Sequence, residues 1–165
     1  MHSKKPIITN QRGNYKMLRK LAPLLLISCL LLISACAVNR ATGKLAPGKD
    51  LSNIKSFYIL EEPGDKGTGN VYKLIEANLA KRGYTVTTGS DFKSPYKSDI
   101  ILTYADKWTW DIVTYMLELT ITFTDSNTNL TIARGNSYHT SLSRKSPEEM
   151  VEEVLTNIFN AKPNP

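Results

Sequence analysis

Between Thr114 and Thr124 the chain alternates with a period of two: Tyr115, Leu117, Leu119, Ile121 and Phe123 take the odd positions, while threonines, Met116 and Glu118 take the even ones. Successive side chains of a strand point to opposite faces, so this pattern predicts a half-buried antiparallel strand with β-branched threonine on its solvent side. Asp125-Ser126-Asn127-Thr128-Asn129 is turn chemistry, and Leu130 to Tyr138 predicts the return strand of a hairpin. Gly135 inside that strand points to a bulge or to a helix lying close above it. Short runs rich in aliphatic, threonine or aromatic residues predict further strands at Ile54 to Leu60, Tyr84 to Thr88 and Ile100 to Tyr104.

Two stretches follow the helical period instead. Val71, Leu74, Ile75 and Leu79 recur at spacings of three and four, Asn70 is suited to cap the start, and Lys81-Arg82-Gly83 closes the stretch with positive charge and a residue suited to a left-handed cap. Ser146-Pro147-Glu148-Glu149 combines a capping box with proline at the first helical position. Behind it, Met150, Val151, Val154, Leu155, Ile158 and Phe159 form a broad apolar face. The order is therefore β-α-β-β-β-β-α. A right-handed crossover between the first two strands and an antiparallel meander of the later ones is the expected connection. Each helix needs one apolar surface and the long strand offers one. The expected fold class is α+β: a two-layer sandwich, with a four- to five-stranded, mostly antiparallel sheet and both helices on one face.

The N-terminal part has a different character. Leu21 to Ala35 is an apolar run of 15 residues preceded by a basic segment, the pattern of a secretory signal, with Met17 read as the true start. As a helix this run reaches only about 22 Å, short of the ~30 Å of a bilayer's hydrocarbon core. It closes on Ile33-Ser34-Ala35-Cys36: an aliphatic residue, a tolerant position, a small residue and then cysteine. This is the pattern at which bacteria cut and acylate a lipoprotein. Cys36 is therefore the expected lipidation site, carrying an S-diacylglyceryl group and an N-acyl chain such as palmitate. Leu26-Ile27-Ser28-Cys29 fits the same pattern, but cleavage there would leave Leu30 to Ile33 on the mature chain, and Cys29 reads as a small apolar filler. Ala37, where aspartate would favour retention in the inner membrane, points to the periplasmic face of the outer membrane.

Charge and cysteine content narrow the chemistry. Six of the 21 basic residues precede Cys36 and none of the 15 acids does, so fifteen face fifteen in the mature chain. The formal net charge of +6 belongs to the leader and is no argument for nucleic-acid binding. No cysteine follows Cys36, so the mature domain has neither a disulfide nor a thiolate site. Residues 36–50 read as a lipidated N-terminus and flexible linker, with Gly43, Pro47 and Gly48 and little to bury. A single domain over 51–160 and a tail at 161–165 complete the expected organisation.

Several segments together carry a family likeness: Ile54-Lys55-Ser56-Phe57-Tyr58, Leu79-Ala80-Lys81-Arg82-Gly83-Tyr84, Ser98 to Tyr104, Asp125 through Arg134-Gly135, and the closing helix from Pro147. In these the chain resembles small Gram-negative lipoproteins carrying a domain of unknown function, the DUF4136-like class. Such proteins often have glycine where this chain has Asn129 and tryptophan where it has Ala133; asparagine can still make the turn. The resemblance implies no catalytic or binding residues. A more distant likeness in general shape is to the lipopolysaccharide-assembly lipoprotein and other accessory lipoproteins of the envelope.

Few residues in the domain suggest chemistry. His139 is the only histidine after the leader and reads as a surface residue of the hairpin, which leaves no histidine-pair metal site. Asp106 and Asp111 flank two tryptophans, an arrangement that glycosidases use, but they read more simply as solvated loop carboxylates. Pro63 to Asn70 lacks the ending of a phosphate loop. Tyr104, Trp108, Trp110 and Tyr115 form the densest aromatic grouping in the sequence and are the candidate recognition patch. The expectation is a non-catalytic accessory without cofactor or metal, held to the membrane through acyl chains on Cys36 and contacting another envelope protein. The alternative is a binding module for a glycan, peptide or lipid.

Overall fold

The computed structural model describes residues 39–61, 70–91 and 97–162; Met17, Cys29, Cys36 and most of the Pro63–Asn70 loop lie outside them. Six strands, β1 (Asn39–Leu45), β2 (Ser56–Leu60), β3 (Thr85–Gly89), β4 (Ile100–Trp110), β5 (Thr114–Asp125) and β6 (Thr131–His139), form one sheet in the order β1-β6-β5-β4-β2-β3. Two helices, α1 (Val71–Lys81) and α2 (Pro147–Phe159), complete an α+β fold, with a short 3-10 turn at Ser141–Ser143.

The sheet is mixed. β4, β5 and β6 pair antiparallel, as the expected meander requires, and β1 adds antiparallel to β6. β3 is outside that meander: it lies parallel to β2 at the sheet's edge, and β4 lies parallel to β2 on the other side. Parallel neighbours need a crossover, which α1 supplies between β2 and β3.

The largest departure concerns the expected linker. Asn39–Leu45 is a strand, paired with β6 from Asn39↔His139 to Leu45↔Ala133. Its segment Asn-Arg-Ala-Thr-Gly-Lys-Leu shows no apolar alternation because α2 runs too close above it for side chains. A Cβ at Gly43 would run into the Asn157 carbonyl, and one at its partner Gly135 would sit 2.8 Å from Val154 and Ile158 carbons. The two glycines let the helix backbone settle on the sheet. The domain therefore begins by Asn39 and not at Leu51.

Helix starts and turns follow local chemistry. At α2, Ser146 Oγ accepts from the Glu149 amide and Glu149 Oε2 accepts from the Ser146 amide at 2.8 Å, closing the capping box. Asn70 occupies the cap position of α1, yet its side chain makes no capping bond. Gly83 takes φ +91° after α1, and Asn129 reaches φ 55° in the β5–β6 turn, held by Asp125 accepting from the Asn127 and Thr128 amides.

The helices meet each other through Arg82, which donates to Glu152 at 2.7 Å and to Thr156 at 2.8 Å, while Asn78 donates to Glu152. Beneath them Phe57, Ile59, Leu102, Leu119, Ile121 and Phe123 meet Val71, Ile75, Leu79, Val154, Leu155 and Ile158, all buried. The aromatic rings of this core interlock. Phe57 makes edge contacts with Tyr84 and Phe123 at 5.0 Å, and Phe159 stacks on Tyr84 at 5.3 Å.

Candidate functional site

The β4–β5 hairpin outgrows the sheet that supports it. Its rungs run from Ile100↔Asp125 to Trp110↔Thr114, whereas β6 follows β5 only as far as Glu118↔Tyr138, and β2 follows β4 only to Ile59↔Leu102. A bulge between Lys107 and Trp108 opposes Lys107 to Glu118 and Trp108 to Met116, so Leu117 is the extra residue. From there the parity of β5 changes. Leu119, Ile121 and Phe123 are buried as the alternation predicts, but on the tip side Met116 is buried while Tyr115 and Leu117 are only half-buried.

The four residues of the expected recognition patch consequently separate. Tyr104 is 3% exposed and belongs to the core. Trp108 packs against the core, with its indole N–H donating to Asp106. Tyr115 lies under Arg144, whose guanidinium carbon is 4.8 Å from the ring centre. Trp110 alone is open, at 72% exposure. Its exposed neighbours are Ile112 (87%) and Val113 (52%) in the turn that follows, and Leu142 (74%) lies two residues before Arg144, which binds Asp111 in that turn. Among the described residues only Leu130 (58%), in the turn at the opposite end of β5, is another large hydrophobic so exposed.

A polar strap holds this tip. Arg144 Nη2 donates to both oxygens of Asp111 at 3.1 and 3.3 Å, and Arg144 Nε donates to the Ser141 carbonyl at 3.1 Å, tying the segment after β6 to the turn. The Ile112 amide, followed by the Val113 amide and Arg144, holds the Asp111 carboxyl below the usual carboxylate range against a smaller opposing effect of burial. Asp111 is thus a fastened turn residue and not a free solvated carboxylate. Asp106 is likewise committed to the Trp108 indole, so the two acids are engaged by different partners.

A second polar group was not foreseen. His139, expected at the surface, is 4% exposed, and its Nε2 lies 2.7 Å from Glu153 Oε2. Ser137 Oγ donates to the same oxygen at 2.7 Å, and Lys145 Nζ donates to the other. Burial pushes the Glu153 carboxyl up, but hydrogen bonds from Lys145, Ser137 and His139 and the Lys145 charge outweigh it and hold the group at about 2. Gly135, Ser137 and His139 share one face of β6, the face on which α2 lies, and that alternation is the signal that locates His139 inside. Ser137 and His139 both turn to the carboxylate. The hydroxyl is therefore not set up for activation by the imidazole, and the group fastens α2 to β6. Among the described residues no cluster of histidine, cysteine and acids could hold a metal ion, and no helix is long and apolar enough to cross a membrane.

An apolar concavity lies elsewhere. Leu45, Leu51, Tyr84 and Phe159 line a groove of about 480 Å³ with Arg82 and Asp50 at its margin.

No family model matches the chain, and no curated protein matches it. Solved structures do. The PelC dodecamer of Paraburkholderia phytofirmans is similar in two crystals, one of them of a point variant, with TM-scores of 0.53 and 0.51 at 13% and 16% identity. Each alignment covers 76% of this chain and 98–99% of the PelC chain. A PDZ domain protein from Parabacteroides distasonis aligns with a TM-score of 0.50 at 12% identity, over 76% of this chain and 37% of that one. At these identities the likeness is one of fold.

Proposed function

We propose that this chain is a lipoprotein of the bacterial envelope, acylated on Cys36 and held on the periplasmic face of the outer membrane, where its two-layer α+β sandwich serves as a non-catalytic accessory to another envelope component. The observation that carries the reading is Ile33-Ser34-Ala35-Cys36 at the close of a basic and then apolar leader, with the residue after cysteine being Ala37. Two or three acyl chains hold a protein on a bilayer far more firmly than one, because each buried methylene contributes about 0.8 kcal/mol. The resemblance to small Gram-negative lipoproteins supports the same placement.

Metabolic labelling with an alkyne-bearing fatty acid tests this. The wild-type chain takes up label and runs at the mature size, while Cys36→Ala loses the label and accumulates as the precursor. Label persisting in that variant moves the site to Cys29, and an unlabelled wild type overturns the reading. Crosslinking in cells from exposed positions of the domain then identifies the partner. A second copy of this chain is one outcome to look for, since the similar PelC forms a dodecamer.

The groove between Leu45, Leu51, Tyr84 and Phe159 favours a second reading, binding of a small amphiphilic or peptide ligand, because its volume falls in the range of ligand sites. Saturable calorimetric titration with cell-wall or lipid fragments, lost in Tyr84→Ala, supports it; flat titrations dispose of it.

A further inference from the structure

The first described residue of the domain and the bare tip of the β4–β5 hairpin lie at the same end of the molecule. Asn39 opens β1 opposite His139, the last residue of β6. Ser143 Oγ, next to Leu142, donates to Asn39 Oδ1, and Arg144, one residue on, donates to Asp111 in the hairpin turn. Asn39, Leu142 and the turn are thus joined through one segment. The hairpin runs about four residues past the level of Asn39, roughly 10–13 Å at the rise of a β-strand.

Chain length then limits where an anchor can be. Cys36 is three residues before Asn39, so covalent geometry keeps it within about 11 Å of the strand's first residue. A 14-residue tether would have let the domain turn freely at a distance from the bilayer. With β1 in the sheet, only Ala37 and Val38 separate the acylated residue from the fold.

We propose that Trp110, Ile112, Val113 and Leu142 form a second membrane contact, inserted at the interface of the bilayer to which Cys36 is anchored. The proposal rests on the lipoprotein reading. Its chemistry is that of an interfacial site: tryptophan favours the headgroup level, with an apolar body and a polar N–H, and the aliphatic side chains lie beside it. Asp111, the one carboxylate of the turn, is already engaged by two backbone amides and by Arg144, so the tip brings no unpaired negative charge to the membrane. The acyl chains and an apolar tip together fix orientation as well as attachment, with the sheet standing on its β4–β5 end and the α1–α2 contact and the groove facing away from the anchor point.

The test uses the mature protein purified from membranes and placed in vesicles of phosphatidylethanolamine and phosphatidylglycerol, with its intact mass reporting the acyl chains independently. In Trp108→Phe, Trp110 is the only tryptophan. Its emission is expected to shift to the blue and to be mostly lost when the lipids carry bromine near the glycerol. Because Trp108 packs on the core, a nitroxide on Ile112→Cys, at a fully open position, gives a second reading; it is expected to be accessible to oxygen and shielded from a water-soluble nickel chelate. A chain that carries the acyl mass and floats with the vesicles, yet leaves both probes in water, overturns the membrane contact and leaves the lipoprotein reading standing. Absence of the acyl mass overturns both. Probes in water on vesicles but shielded in cells assign the tip to a protein partner and equally overturn the lipid contact.

Discussion

Aromatic residues gather at both ends of the β4–β5 hairpin, and the two groups have opposite fates. At the β5–β6 end Phe57, Tyr84, Phe123 and Phe159 interlock at centroid distances of 5.0 to 5.9 Å. At the other end Trp110 stands 72% exposed beside Ile112 and Val113. Composition does not separate them, for both ends are rich in rings and β-branched residues. Coverage does. Glu153, in the middle of α2, fastens the helix at the level of His139, and the helix then runs toward Phe123. Met116 and Trp108 are still covered, but the turn beyond them leaves Trp110, Ile112 and Val113 open.

The sharpest way to break this comparison is to truncate each end. Phe123→Ala removes a ring that is fully buried and in contact with two others, and is expected to cost about 3–5 kcal/mol through lost burial and the cavity left behind. Urea denaturation measures it as a lower midpoint. A cost below about 0.5 kcal/mol, the ordinary range for a surface position, would mean that the covered end is not where the core's stability lies.

Next in size is the bond between helix and sheet. Glu153→Gln leaves Lys145 and His139 facing a neutral amide and is expected to cost about 2–3 kcal/mol at neutral pH. Because the folded carboxyl is held at about 2 against an ordinary 4.5, its contribution is complete above pH 4.5 and disappears as pH falls from there toward 2. The difference between wild type and variant should therefore shrink across that window, as chemical denaturation at stepped pH will register. A difference that stays constant would show that Glu153 acts through packing and not through charge.

Much of this fold was legible from periodicity. β2, β3, β5, β6 and both helices stand within one or two residues of the segments read from the sequence, because each carries an apolar repeat facing one buried layer. β4 starts where expected but runs on to Trp110, since Asp106, Lys107 and Thr109 break up the apolar pattern in its outer half. β1 was hidden for the reverse reason. Under a closely packed helix the useful residue is glycine, and Gly43 reads as linker when its partner Gly135 is not known to lie beside it. The candidate site was legible only in part. Adjacency in sequence grouped Tyr104, Trp108, Trp110 and Tyr115, whereas the Leu117 bulge and the return of the chain after β6 regroup Trp110 with Ile112, Val113 and Leu142. A bulge leaves no mark in a period-two pattern that happens to carry Met116 at an even position.

The start of α2 itself can be loosened. Ser146→Ala removes the acceptor for the Glu149 amide and is expected to cost about 1 kcal/mol, the usual worth of such a cap. Amide exchange is the sensitive measurement, with faster exchange confined to the first turn around Glu148 to Met150. Uniformly faster exchange would mean that the cap is not a local device and that α2's position depends on it as a whole.

The smallest stability effect is expected at the bare tip, and it is the one that sharpens the comparison most. Ile112 is 87% exposed and its backbone amide is held by Asp111, which remains in place when the side chain is changed. Ile112→Ser is therefore expected to move the stability of the isolated domain by no more than about 0.5 kcal/mol, the level of an ordinary surface substitution. The same change removes an aliphatic side chain from whatever covers the tip, so its effect belongs to the assembled state: stability measured on vesicles should fall relative to wild type while stability in detergent-free solution of the unacylated domain, produced from Ala37 without the leader, does not. An equal loss in both settings would place Ile112 inside the domain's own packing, and the two ends of the hairpin would then differ in degree and not in kind.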